Sequence, residues 1–472
     1  MIRRWPRPQE RSCVEVLAAL SGRDLAAAVG RAQFVAACPY TEAHFLPEGA
    51  LMTDRDFGIA VIAELYQKLM IDDEWSVGRS RGFTWWSLRL AQHVEVSQPA
   101  RRGDREVCTV QIWTDVVDQV APEKHPVEIL AIANMQSTLG ALVWDPDRRK
   151  ITLNSTLLVD VHNVAFAVWL LQTVAVTQNA QAHSSAHALA EVVGGFPAES
   201  HHPENGRRPA ADELLSVPES VILPVGNTES RFTALLTEDL ASAMGHYGVA
   251  GCVEPPALTC ELPFNGASPL AALEPPDHAV ETALLEVFTD VEHPEYRTGA
   301  LMTLSLPMVV DQGHAAVVAN RLNLAEATAA TTLLGAWCPD PRAKSRDRVA
   351  FNTFLPNALA RPGLLERLIS SQMVRSRFAA RELDVPSPGG APWGDGLIFE
   401  LFWSVVTALD AGYVPEVSDG PVEEVADGEV PLHAAPDLVV NAMREAASRL
   451  SVPSTQVQSG GWRAAVESQR LR

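Results

Sequence analysis

The chain has 472 residues, 47% of them hydrophobic and 20% charged, which is typical of a folded globular protein with more than one domain. Its formal net charge of -21 repels phosphate groups, so we predict that it binds neither nucleic acid nor membrane. The six cysteines have no C-x-x-C spacing, which indicates reduced thiols and no cofactor bound through them. We find no secretory signal and no membrane-spanning run, which predicts a cytoplasmic protein.

The first predicted domain, called copy A because a second domain repeats it, covers residues 51–195. Residues 1–50 are interpreted as an N-terminal cap that packs on it. Thr53 is the candidate N-cap of the first helix. Residues 84–96 and 106–116 alternate apolar and polar side chains, which predicts two strands with one covered face. The residues that give the first helix its apolar spacing are Ile59, Ile62, Ala63, Leu65, Tyr66 and Leu69.

A hairpin and a long helix complete copy A. Residues 126–140 have an ambiguous pattern that favours a helix. Asp145-Pro146-Asp147-Arg148 predicts a turn, because Pro pre-sets φ and Asp can accept hydrogen bonds from the backbone ahead. A strand over residues 150–159 follows. The closing helix is predicted over residues 161–193, and Gly194-Gly195 ends it.

Residues 196–226 are rich in Pro, Glu, Ser, His and Asn, which predicts a partly extended linker. Copy B, residues 227–385, repeats the order of elements, and its third strand is much clearer than that of copy A. Residues 386–472 are predicted to be a hinge and a helical C-terminal appendage. The predicted elements of copy B are a helix at 230–247, strands at 258–264, 282–291 and 299–306, a helix at 313–330, a hairpin around Cys338-Pro339-Asp340-Pro341 and a helix at 361–383.

Local sequence matches indicate an internal duplication. The matching pairs are Asp145-Pro146 with Asp340-Pro341, residues 154–157 with 352–355, residues 170–178 with 364–372, and residues 112–116 with 287–291. The sequence therefore predicts an α+β protein of two tandem related domains. Each would be an antiparallel sheet flanked by helices.

The order of elements resembles one known family. In copy B, Ala319-Asn320-Arg321-Leu322-Asn323 lies in a small-residue helix that leads to a strand, a Pro/Asp turn and a strand-helix ending. This pattern resembles the YbjN and type III secretion chaperone-like proteins over residues 51–195 and 227–385. The resemblance implies a cytoplasmic protein that binds other proteins, often as a dimer, and two copies in one chain imply a covalently joined pair. It carries over no functional residues.

Candidate metal ligands lie on the closing helix of copy A. His183, His187 and Glu191 share one helix face at the spacing of metal ligands, but no further ligand motif is nearby. We therefore predict a polar helix face and no metal. Phosphate-loop, Gly-x-Ser-x-Gly and His-Glu-x-x-His motifs are also missing, which lowers the expectation of an enzyme.

Acidic side chains occur in pairs that could serve acid and base catalysis. Asp54 with Asp56, and Asp72-Asp73-Glu74, flank the first helix, so structural roles are favoured. Thr114-Asp115 and Thr289-Asp290 recur in both copies and are interpreted as turn-forming pairs at strand ends. We predict no catalytic residue.

Trp85 and Trp86 are the candidate partner-binding residues. Successive strand residues point to opposite faces, so one indole should be partly exposed unless a neighbouring element covers it. The structural alternative is packing against the N-terminal cap or copy B. The sequence thus favours a non-enzymatic, chaperone- or adaptor-like protein that binds a protein partner. An enzyme with a pocket between the copies and a structural subunit of a larger assembly are the alternatives. The sequence leaves the oligomeric state open.

Overall fold

The computed structural model describes residues 57–102, 105–161, 163–236, 257–265, 281–311, 313–329, 331–341 and 347–386. The predicted N-terminal cap, Thr53, Asp54 and Asp56, residues 237–247 of the first helix of copy B and residues 387–472 of the appendage lie outside these ranges.

Copy A is an antiparallel sheet with helices, as predicted. Its elements are α1 (Phe57–Leu69), β1 (Ser76–Arg79), β2 (Gly82–Trp86), β3 (Ala91–Val96), β4 (Ala100–Arg102), β5 (Arg105–Asp118), α2 (Pro126–Asn134), β6 (Ala141–Asp145), β7 (Lys150–Asp160), α3 (Val164–Val193) and β8 (Phe196–Pro197), with 3-10 turns at Asp73–Trp75 and Pro122–Lys124. The strand order is β1-β2-β3-β5-β7-β6, and β4 and β8 pair with β5.

Copy B repeats this architecture with a five-stranded antiparallel sheet in the order β12-β13-β11-β10-β9. Residues 232–236 are helical and bury Phe232 and Leu236. The elements before and within copy B are helical turns at Glu213–Ser216 and Pro218–Ile222, α4 (Leu223–Gly226), β9 (Ala257–Pro263), β10 (Thr282–His293), β11 (Arg297–Ser305), α5 (Ala315–Thr328), β12 (Ala336–Pro339), β13 (Val349–Pro356), a 3-10 turn at Asn357–Leu359 and α6 (Leu364–Glu382).

Copy A has five strands before α2 and copy B has three before α5, so the expectation of a weak third strand in copy A is wrong. Residues 84–96, predicted as one strand, belong to the hairpin of β2 and β3, in which Trp86 pairs with Ala91. The turn between them contains no Gly, Pro, Asn or Asp. The ring of His183 holds it instead, because Nε2 accepts the backbone N–H groups of Arg89 and Leu90, both at 3.3 Å.

The predicted match of residues 112–116 with residues 287–291 is also wrong. Trp113 of β5 pairs with Asn154, whereas Asn352, the counterpart of Asn154, pairs with Thr303 of β11. β11 is therefore the counterpart of β5, and residues 287–291 lie one strand further from the hairpin.

The structure adds a correspondence that the sequence matches did not include, an Asn on the second helix of each copy. The Asn134 amide bonds both the N–H and the C=O of Leu142, and the Asn323 amide bonds both groups of Trp337, with distances of 2.8–2.9 Å. Leu142 and Trp337 lie on the edge strands β6 and β12. Each Asn amide therefore bonds backbone groups of an edge strand that could otherwise pair with another strand.

A glycine precedes each edge strand and lies close to the neighbouring strand. A Cβ at Gly140 would meet the Ser155 hydroxyl at 2.8 Å and the Asn154 carbonyl at 2.9 Å. A Cβ at Gly335 would meet the side-chain hydroxyl of Thr353 and the Asn352 carbonyl. The contacted atoms correspond one to one, so each glycine approaches the neighbouring strand at the same place.

The two copies exchange backbone contacts through the loops after α2 and α5. β7 extends past β6, and there Thr156 exchanges two backbone hydrogen bonds with Leu333 of copy B. β13 extends past β12, and there the N–H of Phe354 donates to the carbonyl of Ser137 in copy A at 3.2 Å. Helices α2 and α5 pack together, and one hydrophobic core runs through both copies. Each copy therefore completes a sheet edge of the other.

One edge contact has no counterpart, and the sequence explains why. The Asn320 amide of copy B bonds both the N–H and the C=O of Trp144 in β6, at 3.0 Å each. The corresponding edge residue of copy B is Pro339, which has no N–H to satisfy. In copy A, Ala131 stands three residues before Asn134, where Asn320 stands three before Asn323. Copy A therefore lacks this Asn side chain, and copy B lacks the backbone N–H group that it would bond.

Locally determined predictions are confirmed in copy A. Asp145 Oδ1 accepts the N–H groups of Asp147 and Arg148 in the hairpin turn. Gly194 ends α3 with φ of 67°. In α1, however, Ile59 is 45% exposed, and the buried face is formed by Phe57, Gly58, Val61, Ile62, Leu65 and Leu69.

Candidate functional site

A narrow crevice lies where α6 of copy B meets β7 and α3 of copy A. Two adjoining cavities of about 20 and 30 Å³ open into it, and both are lined by Leu158, Thr332 and Ser371. A volume of this size holds one or two water molecules. In this conformation the crevice therefore takes a side chain or water, not a substrate of metabolite size.

A buried ion pair forms the floor of the crevice. Arg375 Nε lies 3.1 and 3.2 Å from the two carboxylate oxygens of Glu326, and the two residues are 4% and 0% exposed. Arg375 also donates to Gln372 Oε1 at 2.8 Å and to the Thr332 carbonyl. Its guanidinium lies 3.6 Å from the ring centroid of Phe351. Every partner of Arg375 comes from copy B.

The charge state of the pair reflects two opposing effects. Burial raises the pKa of Glu326, and the neighbouring Arg375 partly offsets this rise. Burial likewise lowers the pKa of Arg375, against the stabilising effect of the carboxylate. The two charges depend on each other, because removal of either one would leave an isolated charge away from water.

Copy A has a neutral network at the corresponding place. Gln178, which matches Gln372, donates to the Ile112 carbonyl and to Ser155 Oγ, both at 3.0 Å. Its Oε1 accepts from Thr114 and Gln92, also at 3.0 Å. The residue that corresponds to Arg375 is Gln181. Only copy B thus places a charge pair beneath its closing helix in the described ranges.

The crevice mouth consists of Phe166 and Trp169 on α3 together with Arg361 and Arg367 from copy B. The two rings lie 5.6 Å apart between centroids. Arg361 lies 4.9 Å from the Trp169 ring and Arg367 lies 4.2 Å from the Phe166 ring. Arg361 is exposed and the other three are half-buried. The mouth therefore presents positive charge and aromatic surface from both copies.

Sequence reasoning missed this site, although a signal was present. Residues 361–381 contain five arginines, in a chain with 58 acidic and 37 basic residues. A local cluster of one sign in a chain of the opposite sign is a recognised mark of an interaction surface.

Trp85 and Trp86 are both buried, so the structure offers neither indole to a partner. Trp85 is 0% exposed and donates to Gln92 Oε1 at 2.9 Å. Trp86 is 7% exposed and donates to Ser200 Oγ at 2.9 Å. The element that covers Trp86 is residues 196–212 of the predicted linker, where the expected alternatives were the N-terminal cap or copy B. Their predicted role as partner-binding residues would require this segment to leave the sheet.

His183 and His187 do not form a metal site together with Glu191. His183 Nδ1 donates to the Asn179 carbonyl at 2.9 Å, and its Nε2 accepts two backbone N–H groups. Burial lowers the pKa of His183 to about 4. His187 points to solvent with its side chain 73% exposed. No group of three or more His, Cys, Asp or Glu side chains in the described ranges is arranged to hold a metal ion.

The acidic pairs have structural roles where they are described. Asp72 caps the 3-10 turn through the N–H of Glu74, and Asp73 accepts from the Tyr66 hydroxyl. Thr114-Asp115 and Thr289-Asp290 lie inside β5 and β10, so their interpretation as turn residues at strand ends is wrong. Hydrogen bonds from Lys150 and His93 lower the pKa of Asp115, although burial alone would raise it.

Comparison with known proteins gives no identification. No protein-family model, curated protein or solved structure matches the chain. None of the helices in the described ranges combines the length and apolar character needed to cross a lipid bilayer.

Proposed function

We propose that the chain is a non-enzymatic, cytoplasmic protein-binding protein of the chaperone or adaptor kind, built as an internal pseudo-dimer. The observation that carries the proposal is the crevice mouth, to which both copies contribute. The resemblance to the YbjN and type III secretion chaperone-like proteins remains part of the proposal. The exchange of loops between the copies supports the joined pair that this resemblance implies.

The chemistry of the mouth favours a particular kind of partner segment. Phe166 and Trp169 offer flat apolar surface, and Trp and Arg are the side chains most enriched among residues that dominate binding energy. The exposed Arg361 can bind a carboxylate, and Arg367 adds positive charge beside it. We therefore propose a protein segment that presents an apolar side chain next to an acidic one.

The enzyme alternative gains no support from the crevice. Glu326 and Arg375 bond each other, and the adjoining cavities hold only one or two waters. A structural subunit of a larger assembly remains the second alternative, and the same experiment distinguishes it.

Site-specific photocrosslinking tests the proposal. A photoreactive amino acid replaces Trp169 in the mouth, and a matched control carries it at Met70, which is 82% exposed on copy A. We expect a protein partner to be crosslinked at position 169 and not at position 70, and the substitution Arg361→Glu to abolish that product.

Two outcomes contradict the proposal. Equal crosslinking at both positions, or none at position 169, would remove the mouth as a binding site. A stoichiometric complex that survives Arg361→Glu would favour the structural subunit.

A further inference from the structure

Two turns of the chain have the same sequence and the same unusual geometry. They begin with His202-Pro203-Glu204 and His293-Pro294-Glu295. In each turn the His Nδ1 accepts the backbone N–H groups two and three residues ahead, at 3.3 and 3.1 Å for His202 and at 3.1 and 3.2 Å for His293. Each ring is therefore a neutral imidazole with its proton on Nε2.

The two rings differ in where Nε2 donates. The His202 ring donates to the Ser76 carbonyl at 3.2 Å, so it links the predicted linker to copy A. The His293 ring donates to the Gln136 carbonyl at 3.1 Å, so it links the β10-β11 hairpin of copy B to the loop after α2 in copy A. That loop also holds Ser137, the acceptor for the Phe354 N–H.

His293 has no means of holding a second proton in this arrangement. Its ring is 4% exposed and stacks on Phe354 with centroids 4.5 Å apart. A proton on Nδ1 would oppose the two N–H groups that point at it and abolish both hydrogen bonds. The imidazolium would then be buried against an aromatic ring and backbone, which is costly.

We propose that His293 makes the contact between the copies acid-sensitive, so that protonation releases the loop after α2 from the Phe354 side of the interface. The Thr156–Leu333 side has no such histidine in the described ranges, so the opening is one-sided. The exposed surface would be the loop over residues 135–140 and the outer edge of β13.

The surrounding groups agree with this assignment. Burial lowers the pKa of His293 to about 4, and the Gln136 carbonyl only partly opposes the shift. The charged residues of its own hairpin are Glu292, Glu295 and Arg297, and the titratable Tyr296 ring of the same hairpin lies 5.5 Å from the imidazole between centroids. Phe354 and the Gln136 carbonyl also contact the ring. Burial raises the pKa of Glu295 to about 7. Between pH 4 and 6.5 that carboxyl is therefore largely protonated and gives His293 little counter-charge.

The sign and size of the effect follow from the two states. The closed state binds the proton with a pKa of about 4, whereas a released histidine titrates near 6.5. The open state is therefore favoured as the pH falls through this window. Its population relative to the closed state should rise roughly 30-fold between pH 8 and pH 5.

Hydrogen exchange of single amides in the full chain tests the proposal. After correction for the intrinsic pH dependence of exchange, we expect the Phe354 amide to lose protection between pH 8 and pH 5 and the Leu333 amide to keep it. Equal loss of protection at both amides, or no loss at the Phe354 amide, would overturn the proposal. This result needs only the wild-type protein.

Matched variants at the two turns sharpen this test. His293→Gln should abolish the pH response of the Phe354 amide, whereas His202→Gln should leave it unchanged, because that ring joins the linker to copy A and does not contact copy B. If the response persists in His293→Gln, another group causes it and the proposal fails.

Discussion

Copies A and B share five strands in the same order but differ in the polar interior beneath the closing helix. Copy A satisfies Gln178 with a neutral network of amides and hydroxyls. Copy B buries Glu326 and Arg375 as an ion pair. The features that the copies share, the glycine before the edge strand and the Asn amide on it, concern the backbone path.

This difference separates what the fold requires from what it tolerates. A neutral network and an ion pair occupy the same layer of the same fold, so neither is needed to specify it. The ion pair of copy B lies beneath the crevice and the aromatic mouth. The described ranges of copy A contain no ion pair at the corresponding place. The divergent interior therefore coincides with the surface for which we propose a function.

The largest effect is expected from breaking the ion pair. Arg375→Ala should destabilise the protein by about 3–5 kcal/mol, because Glu326 would stay buried without its partner. Chemical denaturation measures the change. Gln181→Ala, at the corresponding position of copy A, is the control and should have little effect. Replacing Glu326 and Arg375 together by Met should restore most of the stability, and a double variant as unstable as Arg375→Ala would contradict this account.

Substitution of the glycines before the two edge strands tests whether the backbone is equally strained at these positions in the two copies. Gly335→Ala should cost about 3 kcal/mol, because Gly335 has φ of 152° and its Cβ would also overlap the Asn352 carbonyl. Gly140→Ala, which lacks the positive φ, should cost about 2 kcal/mol or less. Thermal unfolding of the two variants measures the difference. The reverse order would show that the backbone path of copy B relaxes more easily.

Acid should weaken copy A through His183. The pKa of this buried ring lies near 4 in the fold and near 6.5 when free, so its neutral form contributes stability that is complete above pH 6.5 and is lost as the pH falls toward 4. Between pH 6.5 and pH 5 the loss should be about 2 kcal/mol, which is less than the full shift would give. His183→Gln should remove this part of the pH dependence of unfolding. The exposed His187→Gln is the control and should retain it.

The smallest effect is expected at the contact that a helix of copy B makes with the edge strand of copy A, which has no counterpart from copy A to copy B. Asn320→Ala should cost about 1 kcal/mol, because both backbone groups of Trp144 lose a partner. Val317→Ala, on the same helix and 50% exposed, should change stability by less than about 0.5 kcal/mol. Calorimetry of the two variants decides the comparison. Equal stability of the two variants would mean that water replaces the Asn320 amide with no loss of stability.

Sequence patterns predicted the elements whose causes are local. The turn after β6 follows from Asp145 and Pro146, and the end of α3 follows from Gly194. The duplication was visible because the Asp-Pro turn and the residues of the strand that follows it recur in both copies. These signals need no knowledge of distant residues.

The errors arose where distant residues determine the structure. The turn between β2 and β3 depends on His183, about ninety residues later, and so contains no turn signal of its own. Trp86 is covered by residues near Ser200, which no strand pattern could show. Glu326 is joined to Arg375 from another helix, and a glutamate in a small-residue helix gives no sign of burial.

The exchanged loops have a consequence for how the two halves stay together. If the copies were separate molecules, dilution would dissociate them, and their stability would depend on protein concentration. On one chain each half remains at an effective concentration that is on the order of millimolar for a short flexible connection. The unfolding midpoint should therefore be independent of protein concentration, even where few molecules are present.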